Sequence, residues 1–270
     1  MLTNTTFNVK YLAIILLSCF AIVSCEETTQ KTTSTPIKES TPQKIYPKGM
    51  NAVFEAHGGI DQWNDMKSLV FTMEKETGDE THTAQLSSRK MHIKTPNFQI
   101  GSNGKQVWLA QDSTYYPPNR ARFYHNLMFY FYAMPFVLGD DGIVYSEADP
   151  LTVGDQTYPG TKISFNSGVG DAPDDEYILY RNKESGQMEW LAYTVTYGKN
   201  EKSDRFSFIK YDQWQEVNGL ILPKVLQWYT VEDGVPTQAR NARVFKDVAI
   251  TTNEAPTALF DKPEKGTFVD

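Results

Sequence analysis

Between Phe123 and Leu138 the chain reads FYHNLMFYFYAMPFVL, almost without a polar side chain. Phe123, Leu127, Tyr130, Met134 and Leu138 share one helical face, yet the other faces are apolar too. A helix that is apolar all round has to be enclosed. This one is shorter than the about 20 residues that cross a bilayer and contains Pro135, so its enclosure is expected to be protein. What encloses it must come from the rest of the chain, and the rest reads as strands.

Leu69, Phe71 and Met73 alternate with Val70, Thr72 and Glu74, the two-residue period of a strand. Strands are expected within Thr81–Thr95, Lys105–Ala110, Gln156–Phe165, Glu176–Arg181 and Met188–Tyr197. Arg205–Trp214, Leu220–Val231 and Thr237–Ile250 continue the series. Asn182-Lys183-Glu184-Ser185-Gly186 joins two of them as a hairpin. Leu191, Tyr193, Val195 and Tyr197 make one wholly apolar strand face, which argues for an antiparallel sheet with one buried side. Met50, Val53, Phe54 and His57 are spaced as on a helix, stopped by Gly58-Gly59. Ile60, Trp63 and Met66 suggest a second short turn. The fold class expected is mainly β with α: a curved antiparallel sheet forming an incomplete half-barrel. An N-terminal helix and the Phe123–Leu138 plug helix sit on its concave side.

The N-terminus is of a different kind. After Lys10 an apolar run from Tyr11 to Val23 has the length of a signal-peptide core and is too short to span a bilayer. Ile22-Val23-Ser24-Cys25 resembles the lipobox of bacterial lipoproteins. The resemblance implies cleavage after Ser24 and acyl chains on Cys25, enough to hold the protein on a membrane where a single chain would bind marginally. Residues 1–24 are then a lipoprotein signal peptide, 25–45 the lipidated cysteine with a tether rich in Thr, Ser, Lys, Gln and Pro, and 46–270 one half-barrel domain. Cys19 leaves with the signal, so the mature chain keeps only Cys25 and forms no internal disulfide. The mature chain carries 25 basic against 33 acidic residues, a net charge of −8. That balance disfavours nucleic acid and attraction to anionic headgroups.

Polar candidates are few. His57, beside two glycines, invites comparison with a metal or oxyanion site, but a histidine in a last helical turn also suits the carbonyls there. His82 and His92 share a face only if their stretch is one unbroken strand. His125 falls within the plug and reads as a core residue. Asp140-Asp141 and Asp171 through Glu176 are acidic clusters without an EF-hand spacing, read as solvated loops. No catalytic motif, metal set or cofactor fingerprint appears. Apolar ligands need apolar walls, and Trp108, Phe123, Leu127, Tyr130, Phe131, Met134 and Phe136 are the candidate lining.

Several stretches together resemble a family of uncharacterised bacterial envelope lipoproteins. They are Ala56-His57-Gly58-Gly59-Ile60-Asp61-Gln62-Trp63, the Phe123–Leu138 block with Asn126 and Met134-Pro135-Phe136, Asp174-Asp175-Glu176-Tyr177-Ile178-Leu179-Tyr180, and Val217-Asn218-Gly219-Leu220-Ile221-Leu222-Pro223. That family is similar in fold to the Lol-type lipoprotein carriers. The resemblance implies the half-barrel architecture and an apolar, lipid-like ligand bound or carried in its cavity. The chain is expected to be a lipid-anchored protein of the cell envelope, at the outer membrane, and not an enzyme. Its partners would be the membrane, through Cys25, and that ligand. An interaction subunit with a filled core is the alternative reading, and a hydrolase the third.

Overall fold

The computed structural model describes residues 44–166, 174–198 and 202–269. The expected signal segment, Cys25, nearly all of the tether and Asp171 lie outside them. The described chain opens with α1 (Lys48–Ala56) and α2 (Ile60–Asp65). α1 buries Met50, Val53 and Phe54, the i, i+3, i+4 stripe of an amphipathic helix. Gly58, at φ +100°, separates the helices, and a Cβ there would stand 2.2 Å from the carbonyl oxygen of Gly219. Glycine at 58 thus ends the helix and also lets its turn press against a distant strand connection.

Five strands follow: β1 (Ser68–Met73), β2 (Glu80–Gln85), β3 (Lys90–Lys94), β4 (Phe98–Ser102) and β5 (Val107–Gln111). The apolar block comes next, as α3 (Pro118–Tyr124), α4 (Leu127–Tyr132) and a 3-10 turn at Phe136–Gly139. Then come β6 (Ile143–Val153), β7 (Gln156–Phe165), β8 (Tyr177–Arg181), β9 (Met188–Tyr193), β10 (Ser207–Val217), β11 (Leu220–Glu232), β12 (Val235–Thr251) and β13 (Thr267–Val269). All belong to one sheet, ordered β13-β5-β4-β3-β2-β1-β12-β11-β10-β9-β8-β7-β6. The chain meanders from β1 to one side, crosses through the helical block to the opposite edge, and meanders back until β12 meets β1. Every pairing is antiparallel, and β13 and β6 remain as edges, so the barrel is not closed.

One face of this sheet carries the main core. Leu69, Phe71 and Met73 of β1 lie opposite Ala84, His82 and Glu80 of β2, and residues directly opposite share a face. Helices α1, α2 and α4 supply Phe54, Trp63, Phe129 and Tyr132 to the same core. The expectation of a single buried side needs correcting. In β9, Leu191 joins this core while Trp190 and Ala192 are buried on the other face, with Leu151, Tyr158, Tyr180 and Phe208. A strand buried on both faces loses the polar half of its alternation, and MEWLAY shows little of it.

β4 and β6 were not foreseen. β6 is mostly exposed, contains Asp149-Pro150 and breaks register between Ala148 and Leu151. Proline and irregular pairing are tolerated at an edge, where no further strand must bond.

The plug also differs from expectation: it is three short pieces rather than one helix. Pro135 has no N–H to give to the carbonyl of Phe131, and its ring would crowd that carbonyl in a continuous helix. The hydroxyl of Tyr211 donates to the Phe131 carbonyl instead, at 2.8 Å. The first break lies at His125 and Asn126, where the helical dihedrals are interrupted at Asn126 (φ −124°, ψ −2°).

Candidate ligand cavity

Breaking the helix did not disperse its stripe. Phe123, Leu127, Tyr130, Met134 and Leu138 all line one cavity of about 270 Å³, together with Phe131 and Val137. Ile143 of β6, Phe165 of β7 and Tyr177 of β8 form the opposing wall, with Tyr197 beside them. Aromatic rings pair across and along these walls: Phe123 with Tyr197 at 4.9 Å and Phe165 edge-on to Tyr177 at 5.8 Å. Five of the seven residues expected to line a ligand site are therefore brought together: Phe123, Leu127, Tyr130, Phe131 and Met134.

The other two stand elsewhere. Phe136 is fully buried and stacks on Trp63, centroids 4.8 Å apart and planes 4° from parallel. Trp108 alternates with Val107 and Leu109, which belong to the core beneath α3, so its ring points to the opposite face. There it lies over Gly101, where a Cβ would stand 2.1 Å from the indole, and its Nε1 donates to the Phe260 carbonyl at 3.0 Å. Most of the block is filled core in the same sense. Tyr132 stacks on Phe71 at 4.2 Å and tilts against Phe245 at 4.7 Å.

The cavity rim is polar and acidic. Arg89, on the β2–β3 turn, gives one guanidinium nitrogen to both oxygens of Asp140, at 2.6 and 2.5 Å. Its guanidinium also lies 5.3 Å from the centre of the Phe129 ring. Asp141 follows in the same loop. Asp175 enters from the start of β8, its carboxylate accepting the backbone N–H of Thr196 at 2.6 Å and the Thr196 hydroxyl at 2.7 Å. Asn126 completes the polar lining. Asp140 and Asp141 of one acidic cluster and Asp175 of the other thus line one opening.

Residues 69–238 match the family described as "Family of unknown function (DUF6503)". The chain belongs to that family. Among solved structures it is similar to a LolA superfamily protein from Nitrosomonas europaea, at 9% identity and a TM-score of 0.44, covering 73% of this chain and 89% of that one. It is also similar to a DUF1329 family protein from Desulfovibrio piger, at 9% identity and a TM-score of 0.46, over 75% and 92%. A third likeness is to a putative outer membrane lipoprotein-sorting protein domain from Vibrio parahaemolyticus, at 6% identity and a TM-score of 0.31, over 77% and 97%. Among curated proteins no sequence matches. The family match meets the expectation of an uncharacterised family.

His57, His82 and His92 serve bonds away from the cavity. The backbone N–H of Met188 donates to Nε2 of His57 at 3.1 Å, so the proton sits on Nδ1, which donates to the Ile221 carbonyl at 3.0 Å. A ring caught between Phe136 and Trp214 joins β9 to β11 rather than capping the helix carbonyls, as expected from sequence. Burial lowers its pKa to about 4, against a smaller upward pull from the Ile221 bond. His82 and His92 lie on neighbouring strands of a hairpin, opposite Ile93 and Thr83, and therefore face opposite ways. His92 meets Gln99 at 3.0 Å. The Nδ1 of His125 meets the Arg122 carbonyl.

His82 belongs to a group that the sequence did not reveal. Glu80, wholly buried, holds the His82 ring and the Lys75 ammonium at 2.7 Å each and accepts the Tyr124 hydroxyl at 2.5 Å. Burial pushes the Glu80 carboxyl up, but the bonds from His82 and Lys75 outweigh it and hold the group well below the usual carboxylate range. This network ties α3 to β2. Its only sequence signal is the pair Glu80 and His82 on the inward face of a strand, which shows only once the β1 register is known. Among the described residues no group of three or more His, Cys, Asp or Glu could hold a metal ion.

Proposed function

We propose that this is a membrane-anchored envelope lipoprotein whose β domain binds one small apolar, lipid-like ligand beside the broken aromatic segment. The cavity carries the reading: helical-face residues from two broken helices converge with three strands on a largely apolar space that side chains leave open. Aromatic rings close such space on the other side of the same segment, where Tyr132 meets Phe71 and Phe136 meets Trp63, so an open one beside them points to an occupant. At about 270 Å³ it falls just under the roughly 300–1,000 Å³ of small-molecule sites. That size suits one chain or a compact apolar molecule and not the bundle of acyl chains on a lipoprotein. The anchor on Cys25 and an outer-membrane location belong to the same proposal, resting on the lipobox-like sequence.

Two experiments test it. Solvent extraction and mass spectrometry of the purified mature protein should yield a stoichiometric apolar molecule, and decanol should displace an environment-sensitive dye. No extracted ligand together with no displacement would leave the cavity as a packing defect. Labelling cells with a tagged fatty acid should mark the protein, and Cys25→Ser should lose both the label and membrane retention.

A further inference from the structure

The buried group around Glu80 bears on the cavity from outside it. Glu80 is wholly buried, and both of its carboxylate oxygens are engaged. One accepts the His82 ring N–H at 2.7 Å and the Tyr124 hydroxyl at 2.5 Å, and the other accepts the Lys75 ammonium at 2.7 Å. Lys75 also donates to the Tyr124 hydroxyl at 3.1 Å. Glu80 and His82 lie on β2 and Lys75 on the connection leading to it. Only Tyr124 comes from a distant segment, as the last residue of α3.

α3 has little else to fix its place. It is seven residues long and buries only Ala121, and a helix of that length does not hold itself. It starts at Pro117-Pro118 and stops where the dihedrals are interrupted at Asn126. Apolar burial presses such a helix onto a sheet without choosing one position, because the hydrophobic effect has no direction. Hydrogen bonds to a carboxylate do have one. Phe123, just before Tyr124, lines the cavity and meets Tyr197 at 4.9 Å. Asn126 and Leu127, just after it, line the cavity too. Stability does not account for the group's make-up. The Nδ1 of His82 is buried without a hydrogen-bond partner, which is costly. A buried ionic group is often no more stable than apolar side chains of similar volume in its place.

We propose that Glu80 is a positioning residue for the ligand: by holding the Tyr124 hydroxyl, it fixes the α3 wall of the cavity in its binding-competent place. This rests on the cavity being a ligand site and adds what sets the position of one wall. Neither Glu80 nor Tyr124 lines the cavity, so both act through Phe123 and the residues that follow. Docking of α3 and binding are then linked. Loosening α3 weakens the ligand in proportion to the time the wall is out of place, and the ligand in turn tightens α3.

The test uses the full-length mature chain carrying Cys25→Ser, with decanol as the calorimetric probe and amide hydrogen exchange read segment by segment. Tyr124→Phe keeps the ring and removes only the hydroxyl. It should speed exchange in α3, at the amides of Arg120 and His125 that bond within it, and leave the β2 amides as in the parent. Decanol should bind about five-fold more weakly, as for a wall in place about a fifth of the time. Excess decanol should slow α3 exchange again, by reciprocity. A triple variant, Glu80→Leu with His82→Phe and Tyr124→Phe, separates position from stability, since Lys75 is already partly exposed and can turn to water. It should unfold near the parent's urea midpoint and still bind decanol as weakly as Tyr124→Phe. If Tyr124→Phe leaves α3 exchange or decanol affinity at the parent's value, or the triple variant restores the affinity, this inference is overturned and the cavity is spared. A parent chain that binds no decanol overturns the cavity reading, and this inference with it.

Discussion

The two sides of the Phe123–Leu138 segment have opposite fates. Phe129, Tyr132 and Phe136 are almost wholly buried, whereas Phe123, Leu127 and Tyr130 are half-buried around an opening. Composition does not separate them, since both sets are large and apolar. What differs is the sheet opposite. Phe71 of β1 and Phe245 of β12 reach Tyr132 and close the gap, and Trp63 of α2 closes it at Phe136. Facing the other set, Ile143, Phe165 and Tyr177 leave space between the walls. The same kind of side chain is therefore structural or available according to its partner, and each side can be perturbed separately.

The largest effect is expected on the filled side. Phe136→Ala removes a fully buried ring and its stack on Trp63, which should cost about 3–5 kcal/mol. Urea unfolding would measure it, while probe affinity of the folded protein should change less than about two-fold, because Phe136 does not line the cavity. A loss below about 1 kcal/mol would mean that the filled side is as loosely packed as the open one.

The next effect comes from His57, which is wedged into the filled side and satisfied only as a neutral ring. Its pKa falls from 6.5 to about 4 through burial. Above pH 6.5 the ring is neutral folded and unfolded, and stability should not depend on it. Between 6.5 and 4 the unfolded chain binds a proton that the folded one refuses, so stability falls as the pH drops. The fall should total about 3 kcal/mol and stop growing below pH 4, where both states are protonated. His57→Gln should be less stable at neutral pH but lose this part of the slope. Unfolding curves at several pH values between 7.5 and 4.5 would show it, and parallel slopes for the two proteins would refute the assignment.

How much of this was legible beforehand follows from the same physics. Strand positions were readable from apolar residues set between turn signals, and β7 runs from Gln156 to Phe165 as expected. What was misread or missed depends on neighbours: β9 is buried on both faces, and β6 is largely exposed at its edge. Phe123, Leu127, Tyr130, Met134 and Leu138 line one space although the helix expected to carry them is broken twice, because these five keep a common direction across the breaks. Trp108 was misplaced because an aromatic residue in a strand does not announce which face it takes. The Arg89–Asp140 pair and the Glu80 group were invisible, since each joins residues whose meeting depends on register and loop path rather than spacing.

The smallest effect on stability, and the sharpest separation of the two sides, is expected from Leu127→Trp. The larger side chain has the open space to enter, so it should avoid the roughly 1–3 kcal/mol that overpacking costs in a filled core. Stability should stay within about 1 kcal/mol of the parent chain, an amount that apolar burial in the cavity can offset. Decanol binding by calorimetry should nevertheless fall at least ten-fold, because the indole occupies the volume that the ligand needs. A Leu127→Trp protein that binds as before would show that the ligand lies elsewhere. One that unfolds would show that this side is as tightly packed as the side carrying Phe136, and the contrast between them would not stand.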